Sequence, residues 1–368
     1  MTHPDILVLG GGIIGLACAR ELALRGLRVE IVERLPAGAE ASLASAGMLS
    51  PLADSPTTGP FLDACRASRD LWGTWVATLE SETGLAVDYD TSGGLLVALD
   101  ENDEAELERV AGAAREIGEG AEEIDLAALR RRVPDITSEV RRALLLPGEH
   151  RVDNVQLCAV LAQAVQGLGV VIHYDSEAER VERRPEGTVL VSGAHWRKEA
   201  RLLVLAAGAW SGRMPELPPL PVRPVRGQIV LLGGIEWPWS GSVRRGHSYV
   251  VRRGSTGLLV GSTLEEAGFE KHNTVEGVEG LLAFARRLLP GIGRARLETV
   301  WAGLRPGTAD DLPILGSLPG WPAVVATGHY RNGILLAPWT AREVARLAFA
   351  GDEAEIPAFS PKRFLNRS

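Results

Sequence analysis

A short apolar run, Ile6–Leu9, leads straight into Gly10-Gly11-Gly12-Ile13-Ile14-Gly15, and no other junction limits the fold of this chain so tightly. A helical pattern continues to Leu24, Gly26 offers a stop, and a second strand, Arg28–Val32, ends on Glu33. Strand, glycine turn, helix, strand and acid thus fall within roughly 30 residues, the spacing of a dinucleotide-binding unit. Each part has a physical reason. Gly10 makes the tight turn, Gly12 lets a pyrophosphate approach the backbone, and Gly15 lets the helix lie close on the strand. The helix start at Ile13 and Ile14 presents free N–H groups and a positive dipole end to phosphates. Glu33 is placed to accept hydrogen bonds from ribose hydroxyls. An α/β fold follows.

Composition bears mainly on what the chain does not bind. Hydrophobic residues make up 45% and charged residues 23%, which excludes disorder of the whole chain. Against 47 acids stand 39 lysines and arginines, a net charge of −8, so no nucleic-acid backbone is expected as a partner. Cys18, Cys65 and Cys158 lie far apart with no CxxC pair, which argues against a disulfide framework or a metal site. The apolar stretch Ile6–Ala19 lacks a basic flank and is interrupted by glycines, so it is not a signal peptide. No membrane is expected as a partner, and a cytoplasmic location is.

Further along, Ser42 to Met48 is small and polar, and Phe61–Leu79 has the spacing of an amphipathic helix. Gly94–Leu99 reads as a strand, Glu101–Ile117 as a charged, solvated helix, and Asp125–Arg132 as a short helix ended before Pro134. Asp153 or Asn154 caps a helix over Val155–Gly167, which leads into strand Val170–His173. A hairpin follows around Pro185-Glu186-Gly187. Leu202–Ala206 is a continuous apolar strand of the buried parallel kind, ending at Ala207, Gly208 and Trp210. The proline-dense stretch Pro215 to Pro224 marks a crossover between domains, followed by strands at Gln228–Leu232, Tyr249–Val251 and Leu258–Val260 and a helix over Glu276–Leu289. A last strand, Ala323–Ala326, and a last helix, Gly333–Phe349, are followed by a loose tail from Gly351.

Chemistry is concentrated near the C-terminus. Arg305 ends an apolar strand just before Pro306, where a solvated arginine is unusual. It pairs with Asp310 or Asp311, or it clamps a ligand carboxylate. Gly328-His329-Tyr330-Arg331-Asn332-Gly333-Ile334-Leu335 reads as a strand, glycine turn and helix start, a second helix N-terminus for an electron-rich cofactor edge.

The glycine fingerprint, the Ser42–Met48 segment, Ala206–Trp210, the Arg305-Pro306-Gly307 run and the closing glycine joint occur here in one order that resembles the D-amino acid oxidase superfamily of FAD flavoproteins. With His247-Ser248-Tyr249 added, the pattern is most similar to its bacterial glycine oxidase branch, which serves thiamine thiazole synthesis. The resemblance spans nearly the whole chain. It implies non-covalent FAD, because the cysteine that tethers the cofactor in some members would follow Cys158, and none does. By position, Gly10, Gly12, Ile13, Ile14 and Gly15 hold the pyrophosphate, and Glu33 with Arg34 the adenosine ribose. Ser42, Ala46, Gly47 and Met48 run beside the flavin, Ala178 lies against the adenine, and Ala207, Gly208 and Trp210 pass close by. Arg331, Asn332, Gly333, Ile334 and Leu335 meet the pyrimidine edge.

On the same resemblance Arg305 binds the substrate carboxylate, Tyr249 adds a hydroxyl, and Arg331 completes the pocket. Met48, His247 and Leu264 contribute to its wall. The histidines His247 and His329 shape the entrance or bond backbone, since hydride transfer from Cα to flavin N5 needs no protein base. The implied reaction is oxidative deamination of glycine, sarcosine or a small D-amino acid to a 2-oxo acid, ammonia and, with O₂, hydrogen peroxide. A D-amino acid oxidase or quinone-linked dehydrogenase is the alternative on the same scaffold, and a tRNA-modifying flavin oxidase a more distant one. A homo-oligomer is expected. The expected architecture is a Rossmann-like FAD domain over 1–80, 140–225 and 300–368, with a mixed-sheet substrate domain over 81–139 and 226–299.

Overall fold

The computed structural model describes residues 3–350 and 355–365. The glycine fingerprint folds as its spacing dictates. Strand Ile6–Leu9 pairs in parallel with Val29–Val32 on one side and Leu202–Leu205 on the other. These three apolar strands sit at the centre of a six-stranded sheet. Val171–His173 extends it beyond Val29–Val32, Ala323–Thr327 extends it beyond Leu202–Leu205, and Ile314–Ser317 closes that edge antiparallel. Helix Ile13–Leu24 is apolar on nearly all sides because it is sandwiched between helices Asn154–Gly167 and Gly333–Ala350 and the sheet.

Two glycines make the turn possible. Gly10 has φ of +110°, and a Cβ there would lie 2.4 Å from the Ala206 carbonyl oxygen. A Cβ on Gly15 would lie 1.9 Å from the Gly10 carbonyl oxygen, so the helix can approach the strand only without one.

The second large sheet is mixed and eight-stranded, running Arg296–Gly307, Arg223–Gly233, Gly257–Gly261, Ser248–Arg253, Ser242–Arg245, Gly94–Ala98, Arg142–Leu146 and Glu122–Ile124. Its pairs are antiparallel except for Ser242–Arg245 against Gly94–Ala98. The proline-dense stretch lies between the two sheets, joining the 3₁₀ turn Gly208–Arg213 to strand Arg223–Gly233. Strand Arg142–Leu146 belongs to this second sheet, whereas a division at residue 140 would leave it with the first.

Most helices fall where their patterns put them, with longer ends. Pro60–Thr83 exceeds the expected span because Pro60 starts it and left-handed Gly84 stops it. Asp153, not Asn154, is the cap of Asn154–Gly167, accepting from the amides of Val155 and Gln156. The hairpin around Gly187 gains a third strand, Arg197–Ala200. The tail is not loose where it is described. Phe359 is buried, meets the Trp339 ring edge-on, and accepts the Leu315 amide at 2.7 Å through its carbonyl. Residues 351–354 and 366–368 of that tail lie outside the described residues.

Candidate active site

One continuous cavity runs from the glycine turn to the second sheet and encloses about 1760 Å³, its open mouth included. At the dinucleotide end Gly12 starts helix Ile13–Leu24 with no side chain to cap it, and the Ile13 amide is taken by Ser42 Oγ at 2.9 Å. Glu33 accepts the Gly11 amide at 2.6 Å and the Leu35 amide at 2.9 Å, which fixes the turn that follows the second strand. Arg34 stacks its guanidinium on Trp210, 3.9 Å from the ring centroid, and pairs with Glu40 at 2.8 Å. An added Cβ at Gly208, which also lines the cavity, meets nothing within 4 Å, so a side chain there would occupy open cavity space. An uncapped helix start, an acid after the second strand and a wall kept clear by glycine suit a dinucleotide cofactor.

The other end is built from the second sheet. Tyr249 is buried beneath Gly261 and packs with Ile229, Val251 and half-buried Met48. Burial pushes its phenol up, against the opposing pull of the Arg305 charge. Arg305 donates from Nη1 to the Thr263 carbonyl at 3.1 Å and from Nη2 to Ser262 Oγ at 2.7 Å. Neither expected acid reaches it, because Asp310 pairs with Arg363 and Asp311 with Arg223. Desolvation depresses its guanidinium below the ordinary arginine value. The other cavity-lining arginines, Arg34, Arg244 and Arg331, all have carboxylate partners. Among the described residues, Arg305 is the one cavity arginine with no carboxylate ion-pair partner, while Arg244 and Arg331 share Asp54.

Arg331 lies between two groups, donating from Nη1 to His247 Nδ1 at 2.9 Å and pairing with Asp54 at 3.2 Å. His247 therefore offers a lone pair at Nδ1, and burial together with the Arg331 charge holds its pKa down. His329 is buried, hydrogen-bonds Thr340 Oγ1 through Nε2 at 3.0 Å, and is pushed down to about 3 by burial. Both histidines thus bond side chains, not backbone, and both are neutral near pH 7.

Nearly all the residues singled out in the sequence line this cavity: Gly10, Gly12, Ile13, Ile14, Glu33, Arg34, Ser42, Ala46, Gly47, Met48, Ala178, Ala207, Gly208 and Trp210, then His247, Tyr249, Leu264, Arg305, Arg331, Gly333 and Ile334. Three do not. Gly15 packs beneath the turn, and Asn332 is buried, donating its amide to the His329 carbonyl. Leu335 points its carbonyl at Ser68 Oγ and Trp72 Nε1, at 2.6 and 3.0 Å, so it joins the helix core instead of the cavity wall. Sequence reasoning missed Asp54 and Arg244, which line the cavity, and Asn154, whose amide holds the carbonyls of Ser42 and Leu43.

A two-sheet α/β scaffold with a dinucleotide-binding cavity is what this arrangement defines. Residues 5–347 match the FAD dependent oxidoreductase family, designated DAO, and the chain belongs to that family. It is 38% identical to a bifunctional ThiO/ThiG protein of Synechocystis sp., over 99% of this chain and 54% of that protein. The chain thus spans about half the length of its bifunctional relatives. It is 35% identical to a glycine oxidase of Pseudomonas aeruginosa, covering 96% of this chain and 97% of the relative. The crystal structure of glycine oxidase from Geobacillus kaustophilus superposes with a TM-score of 0.91 at 30% identity, covering 98% of this chain and 99% of that one. Among the described residues no helix is long and apolar enough to cross a membrane.

Proposed function

We propose that this chain oxidises glycine, and more slowly sarcosine or D-alanine, to the 2-oxo acid, ammonia and hydrogen peroxide, within thiamine thiazole synthesis. The observation that carries this reading is Arg305, a desolvated guanidinium that faces the cavity and has no acidic partner of its own. Such a group is completed by a ligand carboxylate, and a buried bidentate pair is strong enough to orient a small substrate. The glycine oxidase relatives support the choice of amine.

Gly10, Gly12 and Ile14 would hold the FAD pyrophosphate and Glu33 the ribose, while Gly333 and Ile334, which line the same cavity, would border the flavin ring. Bound flavin supplies the two-electron acceptor that no side chain here provides. The chain's own groups bind and orient. Arg305 fixes the carboxylate, Tyr249 walls the pocket beside it, and neutral His247, whose Nδ1 accepts from Arg331, presents its other ring nitrogen as an N–H donor. No protein base is assigned, since a neutral amine held in place suffices. O₂ as final acceptor, a cytoplasmic location and a homo-oligomer belong to the same proposal. So does a division into an FAD domain around the six-stranded sheet and a substrate domain around the eight-stranded one. The test is to incubate the purified holoenzyme with glycine in air and assay glyoxylate and peroxide. Equal amounts of both support the reading, and their absence with glycine, sarcosine and D-alanine alike refutes it.

A further inference from the structure

Residues 262–274, between strand Gly257–Gly261 and helix Val275–Leu288, reach from the second sheet to the dinucleotide end of the cavity. Most of this segment is a loop whose two ends are stapled to one buried side chain. Gln228 donates from Nε2 to Glu265 Oε1 at 2.7 Å and to Thr274 Oγ1 at 3.0 Å, and its Oε1 accepts the Thr274 amide at 2.9 Å. The backbones of Arg226 and Glu265 also pair, at 2.9 and 3.0 Å. A loop with its ends held together projects its middle as one compact unit.

That middle makes two contacts with the first half of the fold. The half-buried ring of Phe269 lies 5.2 Å from that of Trp210, and the Arg213 guanidinium lies 3.7 Å from the Phe269 centroid. Both partners belong to the 3₁₀ turn Gly208–Arg213. Lys271 Nζ donates to Glu40 Oε2 at 2.8 Å, while the other oxygen of Glu40 accepts from Arg34, which is itself stacked on Trp210. Trp210, Arg34 and Glu40 line the cavity, and Phe269 and Lys271 stand behind them. All three lining residues lie on turns, outside the strands and α-helices. Turn backbone yields more easily than a strand or helix, so this wall stays in place only as well as it is braced from outside.

We infer that Phe269 and Lys271 are positioning residues of the cofactor site, which brace Trp210 and Glu40 from the second sheet and so slow the release of FAD. The aromatic pair carries most of the effect, and the half-exposed ion pair adds a smaller part that salt screens. This inference rests on the dinucleotide end of the cavity being the seat of the cofactor.

The test is the rate at which the FAD-loaded protein releases its cofactor, followed by flavin fluorescence after dilution at low ionic strength. Phe269→Ala should release FAD roughly three- to tenfold faster, the scale of one aromatic pair, and Phe269→Tyr should stay within about twofold of the parent. A folded Phe269→Ala protein that releases FAD at the parent rate overturns the inference. Lys271→Met keeps the side-chain stem, sits at the surface and guards against an alanine variant that does not fold. It should speed release by about twofold at low salt and match the parent at high salt. A release rate equal to the parent's at low salt overturns the inference as well. On a Trp210→Ala background the Phe269→Ala change should add less than about twofold, because its partner is gone. Its full effect persisting there would show Phe269 acting elsewhere, again against the inference. Trp210→Ala that by itself leaves FAD release unchanged would instead refute the seat of the cofactor, an outcome distinct from the others.

Discussion

Arg305 donates to the hydroxyl of Ser262 at 2.7 Å, so a neutral side chain aims a guanidinium whose charge stays available to a ligand. The Thr263 carbonyl secures the other nitrogen at 3.1 Å. Two neutral acceptors from one loop hold the fork still without cancelling it, which is how a preorganised carboxylate site is built.

Arg305→Ala should therefore cost substrate binding first. Truncating one partner of a desolvated ion pair costs on the order of 2–5 kcal/mol, which places kcat/KM for glycine roughly 30- to several-thousandfold lower. Steady-state kinetics on folded, yellow protein would measure it. A KM unchanged for every amino acid tested contradicts the assignment.

Glu149 makes stability depend on pH. It is 2% exposed, and burial pushes its carboxyl up to about 7 from the ordinary 4.5, despite the nearby Arg244 charge. Between those values the folded protein keeps a proton that the unfolded chain has lost, so stability falls as pH rises and the whole penalty applies above the upper value. A shift of this size corresponds to on the order of 3 kcal/mol. Glu149→Gln keeps an oxygen for the Ala53 amide, and its Tm should exceed that of the parent increasingly from pH 5 to pH 8. A difference in Tm that does not change with pH would contradict this.

Gly15→Ala should abolish cofactor loading. Its Cβ would lie 1.9 Å from the Gly10 carbonyl oxygen, a backbone atom with nowhere to move. Helix and turn must separate, and the amides at Gly12 and Ile14, proposed above to hold the pyrophosphate, go with them. The expected product is a colourless protein, or one that fails to fold. Normal flavin content would refute the close approach.

The thiols should be silent. Cys18, Cys65 and Cys158 are all free and buried, and desolvation raises each thiol far above neutral pH. A thiol reagent should titrate none of them in the native protein and all of them after denaturation. Rapid labelling without denaturant would show that the packing around Cys65 and Trp72 opens readily.

The dinucleotide half was legible because its signal is backbone chemistry confined to neighbouring residues. Gly10, Gly12, Gly15 and Glu33 act through turn geometry and local amides, which spacing reports directly. The pocket's charge balance was not. Asp54 and Arg244 are 190 residues apart and belong to no motif. Arg244 and Arg245 are adjacent and look alike, yet strand alternation turns the first toward Asp54 and the second toward Asp100 and Asp103. The partner of Arg305 stayed open for the same reason, since the competing acid Asp310 is claimed by Arg363 in the distant tail. Leu335 was misplaced by one step of a helix, where adjacent residues point about 100° apart.

Anaerobic addition of glycine to the purified yellow protein, followed by absorbance, tests the central claim most directly. Glycine should bleach the oxidised flavin band faster than sarcosine or D-alanine does, and readmitted air should restore the colour with release of peroxide. A flavin that stays oxidised with all three, in protein that dithionite still reduces, would contradict an amine oxidase.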